Sequence, residues 1–388
     1  MNIQLDGAAT INKGGELMLY SIIEQIEKRY PDATVYWNAK HGAQSAKYID
    51  TSLNFHKRWL MEKFGNVIKK YRIIGVFKKL KLPYKWMTIT YVPKNKKIDV
   101  ILDASGYAFC DGTAAGMIKD RNDYYKRHKE NKTKIIFLPQ AFGPFQTKNG
   151  KRLSDVLDKF SDLLIARDEI SENNLIEVGV SSKKILRYPD FTCLCEGIFP
   201  NKYENIKGKV CIIPNIRLFK DTNLTRVEYL SYVSKVIDIC LNKNKEVFLL
   251  NHEALGDLKL CKEINSLFDN RFTIVSDLTA KEVKGVIANS YAVISGRYHG
   301  VANALNSNVP CLANSWNYKY KFLLKEYQQE KMLLEMNVSD NDFKKKLDAI
   351  LSEEENAKIR EQLKITSKIL KNKTTEMWEN VWNYAENK

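Results

Sequence analysis

The chain has 388 residues, with 62 lysines and arginines against 46 aspartates and glutamates, a formal net charge of +16 at pH 7, and 44% hydrophobic residues. A chain of this length exceeds the size at which one hydrophobic core usually stops growing, so two domains are expected, each with ample core. No stretch approaches the ~18 uncharged apolar residues of a membrane-spanning helix, and Met1 to Asp6 lacks the basic and apolar regions of a secretory signal, so a cytoplasmic protein is expected.

The elements alternate in type along the chain. Apolar runs and helical periodicity predict strand 2–6, helix 15–29 and strand 33–37, then strand 98–103, helix 114–128, strand 134–139, helix 150–160, strand 162–166, helix 168–178 and strand 184–188. Residues 190–208, with Gly197, Pro200 and Gly208 and little periodicity, read as a connection. A second run follows: strand 209–214, helix 225–241, strand 245–250, helix 256–267, strand 272–275, helix 280–289, strand 291–295, helix 299–307 and strand 309–313. The remainder from 338 is helical and charged, and Trp378 and Trp382 give its C-terminal end a single apolar stripe.

Alternation of this kind predicts an α/β fold of two doubly wound, Rossmann-like domains whose parallel sheets present their carboxyl ends to a cleft, where a ligand is expected. The domains are set at 1–195 and 209–365, with a linker at 196–208 and a helical C-terminal tail at 366–388 that is expected to pack back on the first domain. Seven cysteines are scattered; Cys193 and Cys195 have no second pair at metal-ligand spacing, so reduced thiols and no metal are expected.

Charge is unevenly placed. From His56 to Lys97 there are thirteen lysines and arginines against the single acid Glu62, interleaved with Trp59, Phe64, Tyr71, Phe77, Tyr84 and Trp86. A solvated face is the plain reading of such a window. Clustered cations with interfacial aromatics also suit an anionic membrane surface. Nucleic acid is disfavoured as a partner, because no recognition motif accompanies the local charge.

The most informative stretch is 293–321: the apolar run Val293-Ile294, then Ser295-Gly296-Arg297-Tyr298-His299-Gly300, Ala304-Leu305, Val309-Pro310, and Lys319 and Lys321. It predicts a buried strand, a glycine-flanked turn, a helix start, and a second strand ending in two lysines. Gly296 and Gly300 permit close backbone approach, a helix start near His299 offers free amides and a positive dipole end, and Arg297 adds a planar fork for phosphate or carboxylate. A turn merely braced by Arg297 and His299 is the structural alternative.

With those residues in view, the chain resembles the polysaccharide pyruvyl transferase family. Fainter matches are Asn12-Lys13-Gly14-Gly15-Glu16, Ala166-Arg167-Asp168-Glu169 with Ser171 and Gly179, Pro189-Asp190, and Asn215-Ile216-Arg217. The resemblance implies a GT-B-like pair of domains and transfer of an enolpyruvyl unit from phosphoenolpyruvate to a sugar, forming a pyruvate ketal without metal or other cofactor. It implies donor contacts from Gly296, Arg297, Tyr298, Gly300 and Arg217, joined by Lys319 and Lys321, with His299 in proton transfer. Such a reaction needs a proton for the methylene carbon, a base for the hydroxyls, and cations for phosphate and carboxylate.

Asn251-His252-Glu253 follows strand 245–250, so His252 and Glu253 are candidate bases, against the ordinary reading of a solvated polar loop. Two loops depart from the family pattern: Gly15 separates Gly14 from Glu16, and Asp103-Ala104-Ser105-Gly106, followed by Asp111-Gly112, stands where a glycine-rich turn is expected. Asn12, Glu16, Asp103 and Asp111 are therefore the acceptor-side candidates. The acceptor is expected to be a polysaccharide precursor, with a lipid-linked oligosaccharide at the inner face of the cell membrane as the form that the basic window would serve. The competing reading is a glycosyltransferase with a nucleotide-sugar donor on the same scaffold.

Overall fold

The structure is a computed structural model that describes residues 1–10, 12–38, 51–57, 97–253, 255–315, 319–334 and 340–386. The basic window 56–97 thus lies almost wholly outside the described residues, as do Trp316, Asn317 and Tyr318.

Seven strands form the first sheet: β1 (Asn2–Asp6), β2 (Thr34–Trp37), β3 (Asn54–Lys57), β4 (Val100–Asp103), β5 (Lys134–Gln140), β6 (Leu163–Ala166) and β7 (Ile185–Arg187). Their order is β3-β2-β1-β4-β5-β6-β7, and every pairing is parallel. The helices between them are α1 (Lys13–Arg29), α2 (Ala115–Glu130), α3 (Lys148–Phe160) and α4 (Glu169–Glu177). β4 is buried at every position, as a strand covered on both faces must be, and this is why its sequence reads as a continuous apolar run rather than an alternation.

The second sheet contains β8 (Val210–Ile213), β9 (Val247–Leu250), β10 (Ile274–Val275), β11 (Ala292–Ser295), β12 (Cys311–Asn314) and β13 (Leu333–Leu334) in the order β10-β9-β8-β11-β12-β13, again all parallel. The helices are α5 (Arg217–Lys220), α6 (Arg226–Asn242), α7 (Leu255–Ser266), α8 (Ala280–Ala288), α9 (Tyr298–Asn306), α10 (Lys319–Glu326), α11 (Asp340–Leu351) and α12 (Glu353–Glu386). Thr225 with Glu228 and Thr279 with Glu282 form complete capping boxes that start α6 and α8. The fold is α/β with two Rossmann-like sheets and a helical C-terminal tail.

By contacts the chain forms two compact units. Met1–Ile11, Met18–Phe191 and Thr375–Lys388 make the first; Asn12–Leu17 and Thr192–Thr374 make the second. The predicted tail boundary at 366 falls inside the continuous α12, whose end carries Trp378 edge-on to Phe191 at 5.8 Å and Trp382 edge-on to Tyr30 at 5.3 Å within the first unit. The stretch expected as linker is packed: a 3-10 turn at Asn201–Ile206 sends Ile206 into the second unit's core, and a Cβ on Gly197 would lie 2.4 Å from the Gly285 nitrogen.

Each sheet reverses its winding once. After β1 the chain moves outward through β2 and β3 and returns to β4 beside β1; after β8 it moves through β9 and β10 and returns to β11 beside β8. The loops that leave neighbouring strands there diverge to opposite faces, opening a crevice at the strands' carboxyl ends, the usual place for a ligand in open α/β sheets. In the first sheet the two strands end on Asp6 and Asp103, direct neighbours in register; in the second, Ser295 and Ile213 are paired, and the loops beyond them carry Arg297 and Arg217.

Candidate active site

The turn after β11 is closed by its own strand. Ser295 Oγ accepts from the Arg297 amide at 3.0 Å and donates to the Arg297 carbonyl at 3.0 Å, which aims the chain into α9 with Arg297 at the N-cap. The Gly296 carbonyl accepts from Asn215 Nδ2 and from the Tyr320 hydroxyl at 2.7 Å, and Asn215 Oδ1 accepts from the Arg217 amide at 2.9 Å. Fully buried Asn215 therefore splices the loop after β8 to the turn after β11.

The two glycines serve the protein's own packing. A Cβ on Gly296 would meet Leu218 at 2.6 Å and Asn215 at 2.9 Å, and one on Gly300 would meet Ser295 Oγ at 2.5 Å. The sequence suggests close approach toward a ligand; in the structure it is toward neighbouring side chains.

Arg297 is held by two carboxylates. Its Nε donates to Asp257 Oδ2 at 2.8 Å, Nη2 lies 2.6 Å from the same oxygen, and Nη1 pairs with Glu253. Asp257 is 1% exposed and also accepts from the Ile216 amide at 3.3 Å, so it fixes the guanidinium and the loop after β8 together. Burial pushes the Glu253 carboxyl up and Asp257 adds to this, against the cations of Arg297 and Arg217. Arg217 itself is exposed at the start of α5, 3.2 Å from Asp221.

His252 is 1% exposed, just beyond β9, and both ring nitrogens are buried without a hydrogen-bond partner among the described residues. Burial holds its pKa well below the ordinary imidazole value, and the charges of Arg297, His299 and Lys13 push the same way. The ring is therefore neutral across the physiological range and is a poor base, contrary to the role expected for it.

His299 lies in the first turn of α9, with the Tyr298 ring edge-on at 5.3 Å, and Tyr298 in turn meets Tyr320 at 5.9 Å. Against the His299 ring sits the first turn of α1: a Cβ on Gly14 would come within 2.0 Å of His299 Nδ1. Asn12 caps that turn by accepting from the Gly15 amide at 2.7 Å. Glu16 accepts from the Ala280 amide at the start of α8 at 3.0 Å and pairs with Lys13 at 2.7 Å. Asn12 and Glu16 were expected on the acceptor side of the first domain; their contacts put them in the second unit, with His299.

Lys319 and Lys321 differ from expectation as well. They open α10 instead of ending β12, and two residues apart on a helix they diverge; Lys321 is exposed and Lys319 half-buried.

In the first unit, Asp103 is buried, accepting from the Ser105 amide at 3.0 Å and from Gln140 Nε2 at 3.4 Å. Burial pushes its carboxyl up, and the neighbouring Asp6 adds to this. Asp6 accepts from the Tyr124 hydroxyl at 2.6 Å, from Gln4 at 3.0 Å and from Asn38 at 3.1 Å. Asp111 is a brace: it accepts from the Thr147 hydroxyl at 2.6 Å and from the Thr147 and Gln146 amides at 2.9 and 3.0 Å, at the start of α3. Partial burial pushes its pKa up, but these bonds outweigh that and hold it below the ordinary carboxylate range.

Sequence reasoning missed Asp257, Asp6, Tyr124 and Lys13. Lys13 lies inside the Asn12–Glu16 motif; Asp257 left no signal, being forty residues from the arginine it holds.

The fold is that of GT-B-like glycosyltransferases and sugar-nucleotide epimerases. A UDP-GlcNAc 2-epimerase from Methanocaldococcus jannaschii, solved with UDP-GlcNAc and UDP, matches with a TM-score of 0.54 at 16% identity over 92% of this chain and 94% of its own. Anabaena HepE, solved with UDP, matches with a TM-score of 0.58 at 12% identity over 98% of this chain and 99% of its own. A putative UDP-N-acetylglucosamine 2-epimerase from Listeria monocytogenes gives 0.55 at 12% identity over 92% and 90%. At these identities the likeness is one of fold. A comparison with curated proteins gives no match. Residues 12–318 match the profile of the polysaccharide pyruvyl transferase family, and the chain belongs to that family of transferases. No helix among the described residues is long and apolar enough to cross a membrane.

Proposed function

We propose that the protein transfers an enolpyruvyl unit from phosphoenolpyruvate to two hydroxyls of a sugar, giving a pyruvate ketal and inorganic phosphate. His299 delivers a proton to the methylene carbon, one sugar oxygen adds to the adjacent carbon, and the second closes the ketal as phosphate leaves. One hydroxyl proton ends in the new methyl group and the other departs with phosphate. The observation that carries the reading is the clustering of Arg297, His299 and His252 around the crevice of the second sheet in a member of this family. Arg217 and Lys319 supply further cations for the donor, and Asp257 keeps Arg297 in place while Glu253 gives up the Arg297 Nη1 to the incoming anion.

The acceptor is a polysaccharide precursor, and the basic window 56–97 suits one presented on a lipid at an anionic surface. A glycosyl transfer from a nucleotide sugar is the second reading, favoured by the UDP bound in solved structures of like fold. Thermal shift with phosphoenolpyruvate against a panel of nucleotide sugars separates the two. Stabilisation by phosphoenolpyruvate, followed by phosphate release and a new methyl signal in the sugar product, supports the pyruvyl transfer; stabilisation by a nucleotide sugar alone sinks it.

A further inference from the structure

We infer that His252 and the first turn of α1 form the subsite for the donor's phosphoryl group, with the imidazole donating a hydrogen bond to a phosphate oxygen. This rests on the reading above that the donor is a phosphate ester, and it removes His252 from the set of bases.

The imidazole is the starting observation. Both of its nitrogens are buried and have no partner among the described residues, in a side chain only 1% exposed, whereas buried polar groups of native proteins nearly always have a partner. The charges that act on it belong to Arg297, His299 and Lys13. Arg297 and Lys13 have no acceptor atom for its N–H, and no acceptor among the described residues is bonded to it, so the partner it lacks is one brought from outside, and between those cations an anion fits. A neutral imidazole has one N–H to give, and a phosphoryl oxygen is a strong acceptor.

The first turn of α1 points to the same ligand independently. α1 has 17 residues, so it has a developed positive end. Asn12 takes the Gly15 amide with its side chain and the Glu16 amide with its carbonyl, so that among the described residues the amides of Lys13 and Gly14 are the first-turn donors outside the helical ladder. Gly14 brings that turn against the His299 ring, where any larger residue would displace it. Lys13 is anchored by Glu16, whose other oxygen is bonded to the Ala280 amide, so its ammonium is placed by a buried carboxylate.

The test is isothermal titration of the full chain with inorganic phosphate, phosphoenolpyruvate and UDP, for the wild type, His252→Ala and Lys13→Met. The expected result is binding of phosphate and phosphoenolpyruvate by the wild type, weakened about tenfold or more in both variants. Lys13→Met leaves the buried imidazole untouched, so it reads the subsite even if His252→Ala does not fold. Wild-type affinity for phosphate in the variants overturns the subsite and leaves the donor assignment standing. Binding of UDP alone, weakened in the variants, keeps the subsite and overturns phosphoenolpyruvate as donor. A wild-type protein that binds none of the three overturns both.

Discussion

The two sheets wind alike and end in opposite chemistry. Where β1 and β4 diverge, the strands finish on a buried carboxylate pair, Asp6 and Asp103, surrounded by the hydroxyl of Tyr124 and the amides of Gln4, Asn38 and Gln140. Where β8 and β11 diverge, the loops carry Arg217, Arg297 and His299, and the acids there, buried Asp257 and half-buried Glu253, are paired with Arg297. Topology decides where a ligand can sit in such a sheet, whereas the residues just past the strand ends decide which ligand. A cationic edge suits an anionic donor, and an edge of carboxylates and amides suits the hydroxyls of a sugar.

The contrast is broken or sharpened most strongly at His299. His299→Ala is expected to lower kcat by about 10²–10⁴-fold, the range of a positioned acid or base, with phosphoenolpyruvate affinity little changed; near-normal turnover would show that the cationic edge binds without doing proton transfer. Next comes Asp257→Ala, which leaves a nearly buried guanidinium short of its main partner. Removing one member of a buried pair costs about 3–5 kcal/mol, so a loss of several degrees in Tm is expected together with weaker donor binding. An unchanged Tm would mean that Glu253 alone positions the arginine.

At the acidic edge the effect is smaller and depends on pH. Asp103 has a raised pKa in the fold, so the folded state binds more protons than the unfolded chain in the window above the ordinary carboxylate value, and stability falls as pH rises through it. Asp103→Asn keeps an acceptor for the Ser105 amide and removes that charge. Its Tm should exceed the wild type's by about 2–4 °C at pH 7, the change that 1 kcal/mol gives in a domain of this size, with the gain vanishing toward pH 4. A loss at pH 7 instead, with a loss of turnover, would mark Asp103 as a working base. Smallest of all is Lys321→Ala: this side chain is exposed on α10, so stability within about 0.5 kcal/mol of the wild type is expected, with donor KM unchanged. A raised KM would restore the lysine to the donor site.

Element type was readable because buried parallel strands and amphipathic helices leave distinct periods, and every strand from β4 to β12 falls within two residues of its expected bounds. What escaped depended on contacts that period does not encode. Lys319-Tyr320-Lys321 looks like an alternating strand end, yet Tyr320 is buried to hold the Gly296 carbonyl, and the segment is helical. Asn251-His252-Glu253 looks like a solvated loop, yet its central imidazole is buried, because a polar triplet carries no mark of what folds over it. Asn12 and Glu16 were read with the domain that surrounds them in sequence, and only three-dimensional contacts move them to the other.

The continuous α12 has one more consequence. Its residues up to Thr374 count with the second unit and those from Thr375 with the first, while Asn12–Leu17 is an excursion in the reverse direction. No single scission of the polypeptide therefore yields either half whole. A fragment ending at Phe191 lacks the Trp378 and Trp382 rings that cover Phe191 and Tyr30, and a fragment beginning at Thr192 lacks the turn that presses on His299. The two halves are interleaved in the gene product, and a working enzyme rebuilt from pieces would require both fragments to be present together.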